Sequence, residues 1–353
     1  MGLMTIVFAL LVFISFMDVA RVSNVTKFIV FVAIGALLVF LASFRFGDRD
    51  YLNYLDIYNG VNALFESRTV ETVHGEPGYL LLNRICKTLG IGSIGVFFIM
   101  ALSSVTLSLA YFRKHTDFFL IALLIYFSHV FLLRDMLQIR SGLAASISLY
   151  SLCYIQQRKL LPFLLIILLA SMFHAGAAIL FLVYFLFPYL RDNTKRQYFL
   201  VGLGFLLGIV LSASLLEYVF IEVIYVPGVS LYTGDEEYFK SLGLLNPVLL
   251  KSASLVILLI YFKDKIQRNV VLFEVFLVSL ITSVFWLATF NNFSIFGARL
   301  ATYLSNVEHL LIPSLFYTNI RKIYLWIIIV CYCAYMFSAK FEAFKDLSFY
   351  FLN

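Results

Sequence analysis

Charge is scarce in this sequence. Only 13% of its 353 residues are charged, against about 25% in ordinary soluble domains, and no hydrophilic stretch is long enough to make a separate soluble domain. The four cysteines (Cys86, Cys153, Cys331, Cys333) show neither disulfide nor metal-ligand spacing. Cys331 and Cys333 are two apart in an apolar run and point in different directions on a helix, so the set reads as small apolar filler. No Walker-type phosphate loop, GxSxG or HExxH motif occurs, which withdraws support from ATP-driven transport and metalloprotease chemistry. Gly90-Ile-Gly92-Ser-Ile-Gly95 has the letters of a dinucleotide-binding turn. No strand precedes it and no acidic residue follows at the right distance, so the match is empty.

What the chain has instead is apolar length. Apolar residues make up 62% of it and its mean hydropathy is +0.96. Runs near 3–20, 27–44, 92–112, 117–133, 141–157, 160–173, 175–190, 198–217, 247–262, 270–290, 298–317 and 322–338 approach or reach the roughly 17–25 residues needed to cross a bilayer. The expected fold is an all-α, polytopic integral membrane helical bundle of about twelve spans, one transmembrane domain over 1–353. Leu3–Ala20 lacks the basic start and small-residue cleavage site of a signal peptide, so it is expected to be an uncleaved first span. Residues 77–90 have apolar positions at helical spacing but carry Arg84 and Lys87, the pattern of an interfacial helix lying on the membrane.

Orientation follows from the short loops. Arg21 and Lys27, Arg113 and Lys114, Arg158 and Lys159, Arg191, Lys195 and Arg196, Lys263, Lys265 and Arg268, and Arg321 and Lys322 occupy alternate connections. They hold 14 of the 26 basic residues and mark the cytoplasmic side. The net charge of +6 reads as topology and not as a nucleic-acid surface. The other side collects mixed charge. It takes a long first loop, about 44–76, with Arg68 and Glu71 among its charges, a second loop, about 217–246, with acidic residues at Asp235–Glu237, the Arg134–Arg140 connection, His174 and Asn291–Arg299. The working face is therefore expected to be extracytoplasmic.

Polar groups in or beside apolar runs cost several kcal/mol unless they have partners or work to do. Arg134 and Gln138 share a helix face, and Arg140 points elsewhere unless the chain breaks between them. Guanidinium forks fit phosphate oxygens, which makes Arg134 and Arg140 candidate anion ligands; the plainer alternative is snorkelling to headgroups. His174, in MFHAGA, is either a helix-packing hydrogen-bonder or a proton acceptor. Tyr51, Tyr54 and Tyr58 follow Arg45, Asp48 and Asp50 at near-helical spacing, suited either to stacking on sugars or to an interfacial aromatic belt. Glu76, just before Tyr79, could serve as base or sugar ligand, and Arg299 as a third phosphate ligand or another snorkelling arginine. Asp135 is the only carboxylate between Arg134 and His174.

The order Arg45…Asp50-Tyr51-x-x-Tyr54, Glu76-x-Gly78-Tyr79, Arg140…Ala144, Arg158-Lys159, Phe173-His174 and Arg299…Tyr303 resembles the EpsG family, grouped with the Wzy-like polymerases of O-antigen, capsule and exopolysaccharide repeat units. The resemblance covers about residues 40–305. The family often shows Arg-Gln where this chain has Arg140-Ser141, with Gln138 as a candidate substitute. The Gly47–Asp50 spacing is one residue longer, which leaves Asp48 and Asp50 interchangeable.

The resemblance implies a GT-C-like polymerase in the bacterial inner membrane. It would take undecaprenyl-diphosphate-linked oligosaccharide on the periplasmic face, with no nucleotide sugar, metal or other cofactor. In that picture Arg134, Arg140 and Arg299 hold the pyrophosphate, while His174 and one of Asp48, Asp50 or Glu76 orient or deprotonate the acceptor. Arg45, Tyr51, Tyr54, Gln138 and Tyr79 bind substrate. The implied partners are the lipid-linked oligosaccharide, membrane lipids and, as a candidate, a polysaccharide chain-length regulator; no nucleic acid is expected. Two alternatives stay open: an O-antigen ligase-like glycosyltransferase and a flippase for lipid-linked oligosaccharide. A flippase would place charges along the interior of the bundle, whereas here they gather at one face and the span interiors are nearly clean apart from Lys251, Glu274 and Glu308, which makes it the weaker reading.

Overall fold

The computed structural model describes residues 2–20, 22–66, 73–212, 215, 218, 241–344 and 346–351. Arg21, Arg68, Glu71 and most of the expected loop 217–246, with Asp235–Glu237, lie outside the described residues. The chain is nearly all helical. Helix α1 spans Gly2–Ser15, α2 Asn24–Ser43, α3 Tyr51–Gly60, α4 Pro77–Thr88 and α5 Gly92–His115. Helix α6, Phe119–Tyr126, continues as a π-helix over Phe127–Leu137. Then come α7 (Ile139–Leu149), α8 (Leu152–Gln156), α9 (Leu160–Ser171), α10 (Leu180–Leu190) and α11 (Thr194–Val210). After the second expected outer loop follow α12 (Pro247–Tyr261), α13 (Phe273–Thr289), α14 (Ser294–Leu304), α15 (Glu308–Ser314) and α16 (Lys322–Ser338).

Among the described residues, three helices are long and apolar enough to cross a membrane: Asn24–Ser43, Gly92–His115 and Phe119–Leu137. Shorter apolar helices include Leu160–Ser171, Pro247–Tyr261, Phe273–Thr289 and Lys322–Ser338. Polar residues set their ends. Ser23 caps α2 by accepting the Thr26 amide at 3.0 Å, and Asn246 caps α12 ahead of Pro247 by accepting the Val248 amide at 2.9 Å.

Two compact units result. One comprises Met1–Ser151, Leu161–Ala177 and Ile312–Asn353, and the other Leu152–Leu160 and Ala178–Leu311. In the first unit the loop residues that sequence assigns to opposite sides gather separately. Asp18 pairs with Lys27 at 3.4 Å and accepts the Leu120 and Ile121 amides at 2.8 and 3.0 Å, capping α6. Tyr317 donates to Asp117 close by, at 2.6 Å. Away from this set, Arg45–Phe46 forms a two-residue antiparallel ladder with Ser348–Phe349, in the register Arg45 to Phe349. In the second unit the three charges read inside spans are paired: Lys251 binds both Glu308 oxygens, and Glu274 lies 2.6 Å from Lys263.

Three elements differ from the sequence reading. The expected 134–140 connection shrinks to Gln138 (φ −93°, ψ 59°), because the π-helix carries the chain through Arg134 and Asp135 to Leu137. The expected span 141–157 divides into α7 and α8. The expected span 298–317 breaks after Leu304 into 3₁₀ and α turns. The first change has a physical cause: buried hydroxyls solvate Asp135 inside the bundle, so the chain need not leave the helix to do so.

Candidate functional site

The polar residues of the first loop converge on Phe97 of α5. Arg45 leaves the end of α2 with its side chain fully buried. Its Nη1 donates to the Ala42 carbonyl at 2.6 Å, its Nε lies 3.1 Å from Asp48 Oδ2, and the guanidinium stands 5.0 Å from the Phe97 centroid. The Arg45–Asp48 contact is an ion pair without hydrogen-bond alignment, and Nη2 of Arg45 has no hydrogen-bond partner among the described residues. Asp48 Oδ1 accepts the Asp50 amide at 3.1 Å. Burial pushes the Asp48 carboxyl above its ordinary value, against the pull of Arg45.

Helix α3 begins after Asp50 and turns Tyr51 and Tyr54 onto one buried face. Tyr51 stacks on Phe97 at 5.6 Å, and its hydroxyl meets that of Tyr350 from the C-terminal segment. Tyr54 makes edge contacts with Phe97 at 6.2 Å and Tyr79 at 5.9 Å. Burial raises the Tyr54 phenol and pushes that of Tyr79 up to about 12, so both stay protonated. The rings expected to stack on sugars are thus taken up by one another and by Phe97, and they form a floor.

Arg140 stands on this floor. Its guanidinium lies 6.0 Å from the Tyr54 centroid and 5.7 Å from that of Tyr79, and its Nη1 donates to Glu76 Oε2. Glu76 is the N-cap residue of α4, whose Pro77 occupies the first turn. The two pairs differ in access. Arg45 and Asp48 side chains are sealed at 0% exposure, whereas Arg140 and Glu76 retain 28% and 22%. One α4 face, bearing Gly78, Tyr79, Asn83 and Cys86, is buried. The Gly78 amide donates to the Met172 carbonyl at 2.8 Å, and a Cβ at Gly78 would lie 2.8 Å from that same oxygen. His174 follows two residues later. Its Nδ1 accepts the Gly176 amide at 3.1 Å, so the neutral ring carries its proton on Nε2.

The structure therefore brings together Arg45, Asp48, Tyr51, Tyr54, Glu76, Tyr79 and Arg140, with Asp50 at the start of α3 and the His174 turn tied to α4. It separates Arg134 from Arg140: Arg134 turns back to donate to the Ser141 carbonyl at 3.2 Å and to the Ser141 hydroxyl. Gln138 sits half-buried at the helix break. Arg299 belongs to the second unit and is exposed on α14. Sequence reasoning missed Phe97 and Tyr350. Nothing marks Phe97 among 38 phenylalanines, but Tyr350 follows the last apolar run, on the side that alternation of the loops assigns to Arg45.

Between α2 and α5 an apolar cavity of about 800 Å³ is lined from Phe28 and Arg113 at one end to Phe44 and Phe98 at the other. Sixteen residues of α2 cover about 24 Å along its axis.

These features define a helical membrane protein with an arginine–carboxylate cluster over an aromatic floor. The chain belongs to the EpsG family, whose description matches residues 28–351. It is also similar to the amylovoran biosynthesis protein AmsC of Erwinia amylovora, 28% identical over 223 residues, covering 61% of this chain and 58% of that one. The chain thus spans little more than half the length of that relative. No solved structure matches it.

Proposed function

We propose that this protein is a polysaccharide repeat-unit polymerase. In this reading it transfers glycan from an undecaprenyl-diphosphate-linked donor to the non-reducing end of a lipid-linked acceptor, on the periplasmic face of the bacterial inner membrane. An arrangement of about twelve spans, GT-C-like, belongs to the same reading. Membership of the EpsG family and similarity to an amylovoran biosynthesis protein support it. The observation that carries it is the partly exposed Arg140–Glu76 pair on the Tyr54–Tyr79 floor, next to the sealed Arg45–Asp48 pair.

The chemistry is a displacement at the donor's anomeric carbon. The acceptor hydroxyl oxygen bonds to that carbon, the bond to the pyrophosphate oxygen breaks, and the electron pair leaves with the lipid pyrophosphate. Arg140 stabilises the charge that develops on the leaving group. Glu76 is the counter-ion that Arg140 gives up when the diphosphate arrives, which frees a carboxylate to take the acceptor proton. His174, Asp48 and Asp50 stay as alternative proton acceptors, and Arg299 as a further phosphate ligand. Arg45 adds fixed positive charge behind Arg140. The α2–α5 cavity offers an apolar berth for a lipid tail.

The test is purified protein with synthetic lipid-diphosphate-linked repeat units, read as a ladder on a gel. A ladder supports the polymerase. Transfer of a single unit to a lipid A core acceptor supports the ligase instead, and absence of any transfer overturns the reading.

A further inference from the structure

The interior of the first unit holds a carboxylate, Asp135, that neither caps a helix as Asp18 does nor enters the proposed chemistry. Asp135 lies inside the π-helix, in a long apolar helix, and is buried. Its two oxygens are taken by hydroxyls from different turns: Ser104 of α5 donates to Oδ1, and Tyr126 donates to Oδ2 at 2.6 Å. The hydroxyl chain continues. Ser104 and Ser146 are 2.9 Å apart, Ser146 and Ser108 2.8 Å, and Ser146 reaches the Gly142 carbonyl at 3.0 Å. Three elements are joined by it: α5, the π-helix and α7.

The chain folds tightly against this carboxylate. A Cβ on Gly142 would lie 2.9 Å from Asp135 Oδ1 and 2.8 Å from the Arg134 carbonyl oxygen, so only glycine lets α7 come this close. Arg134 fastens the same turn from the other flank, through the Ser141 carbonyl and hydroxyl. Between the break at Gln138 and the pinned pair Ser141–Gly142 stand only Ile139 and Arg140. None of the hydroxyl contacts given above touches Glu76 or the Arg140 guanidinium; what joins them to Arg140 is the backbone of the π-helix and α7. Stability alone does not account for the arrangement. An apolar residue at 135, with apolar neighbours, would pack the same interior without desolvating a carboxylate.

We propose that Asp135 is a positioning residue for Arg140. Held by Ser104 and Tyr126, it fixes where the helix breaks and thereby the direction in which the Arg140 guanidinium leaves α7 toward Glu76. This inference rests on Arg140 being a ligand of the diphosphate donor.

The experiment is a double-variant cycle on the intact protein in membranes or detergent, with kcat and KM for the lipid-diphosphate donor determined separately from KM for the acceptor saccharide. Its members are wild type, Asp135→Asn, Arg140→Lys and the pair combined. Lysine keeps the charge but replaces a rigid fork by a flexible point charge, which depends far less on backbone direction. Asp135→Asn is expected to lower donor kcat/KM by about 10- to 100-fold, as supporting partners of a liganding group do, and to leave the acceptor KM unchanged. In the Arg140→Lys background the same substitution should lower it by less than about threefold, since coupled residues are not additive. An equal loss in both backgrounds overturns the inference while leaving the site reading intact. Wild-type activity in Arg140→Lys overturns the site reading and the inference with it. If Asp135→Asn fails to accumulate, Ser146→Ala takes its place in the cycle, because it breaks the link to α7 while Ser104 and Tyr126 still hold the carboxylate.

Discussion

Replacing Arg140 by alanine separates a structural from a chemical role, because the structure assigns the two very different magnitudes. The side chain makes one ion pair, with Glu76, and stands over two rings. At 28% and 22% exposure the pair is partly buried but still reached by solvent, so it is worth about 1 kcal/mol, the upper end for solvent-screened pairs. The ring contacts add about 0.5–1 kcal/mol. Arg140→Ala should therefore lower stability by about 1–2 kcal/mol, a few degrees in Tm, with normal membrane accumulation. If the guanidinium meets the leaving pyrophosphate, its removal costs about 2.7–4 kcal/mol of transition-state stabilisation, a loss of about 10²–10³ in rate. Glu76→Gln should leave stability nearly unchanged, since the amide still accepts from Arg140, yet remove a proton acceptor at about 10²–10⁴ in rate. The assay is ladder formation from lipid-linked repeat units, run beside a thermal unfolding scan of each variant. Activity within tenfold of wild type in well-folded Arg140→Ala protein would refute the assignment, as would a loss of activity explained by loss of folded protein.

Other consequences can be checked alongside. Gly78→Ala drives a Cβ to 2.8 Å from the Met172 carbonyl oxygen, and is expected to destabilise the protein by about 1–3 kcal/mol, read as a drop in Tm. Ala36→Phe places a ring in the α2–α5 cavity; if a lipid tail lies there, turnover of long-chain donors falls while a short-chain analogue is processed as by wild type. Burial raises the Asp48 carboxyl on folding, so its contribution to stability is complete below its unfolded value of about 3.9 and is lost as pH rises through the folded value. Thermal scans from acid toward neutral pH should show that decline, and Asp48→Asn should remove it. Glu308→Leu leaves Lys251 without its carboxylate and should cost about 3–5 kcal/mol, whereas Lys251→Met with Glu308→Leu should restore most of the stability. Polymer made by that double variant argues against a charged translocation path.

The helices were legible because apolar runs and loop charges carry them at the scale of a whole span. The first-loop helix was legible too, from the near-helical spacing of Tyr51, Tyr54 and Tyr58. Their burial was not: it depends on Phe97, forty residues away, and no local pattern announces that contact. The break at Gln138 was misplaced for a related reason. Arg134 and Asp135 look too polar for a span, and only the placement of Ser104, Tyr126 and Ser141 makes the helix tolerate them. The pairing of Arg45–Phe46 with Ser348–Phe349 was invisible, since two-residue strands have no periodicity to read.

Three arginines on the expected outer side run against the tendency of basic residues to stay in the cytoplasm. The structure resolves this by giving each a different partner of defined chemistry. Arg45 is matched by Asp48 in a sealed pair, Arg134 donates to the Ser141 carbonyl and hydroxyl, and Arg140 is matched by Glu76 in a pair still open to solvent. A diphosphate competing for the sealed pair would have to displace Asp48 and open the floor. Competing for Arg134 would mean unfastening the turn that precedes α7. At Arg140 it need only displace Glu76, whose side chain keeps 22% of its exposure where that of Asp48 keeps none. Within this set Arg140 is thus the arginine with the lowest barrier to exchanging its partner for a phosphate, and the carboxylate released by that exchange remains at the N-terminus of α4.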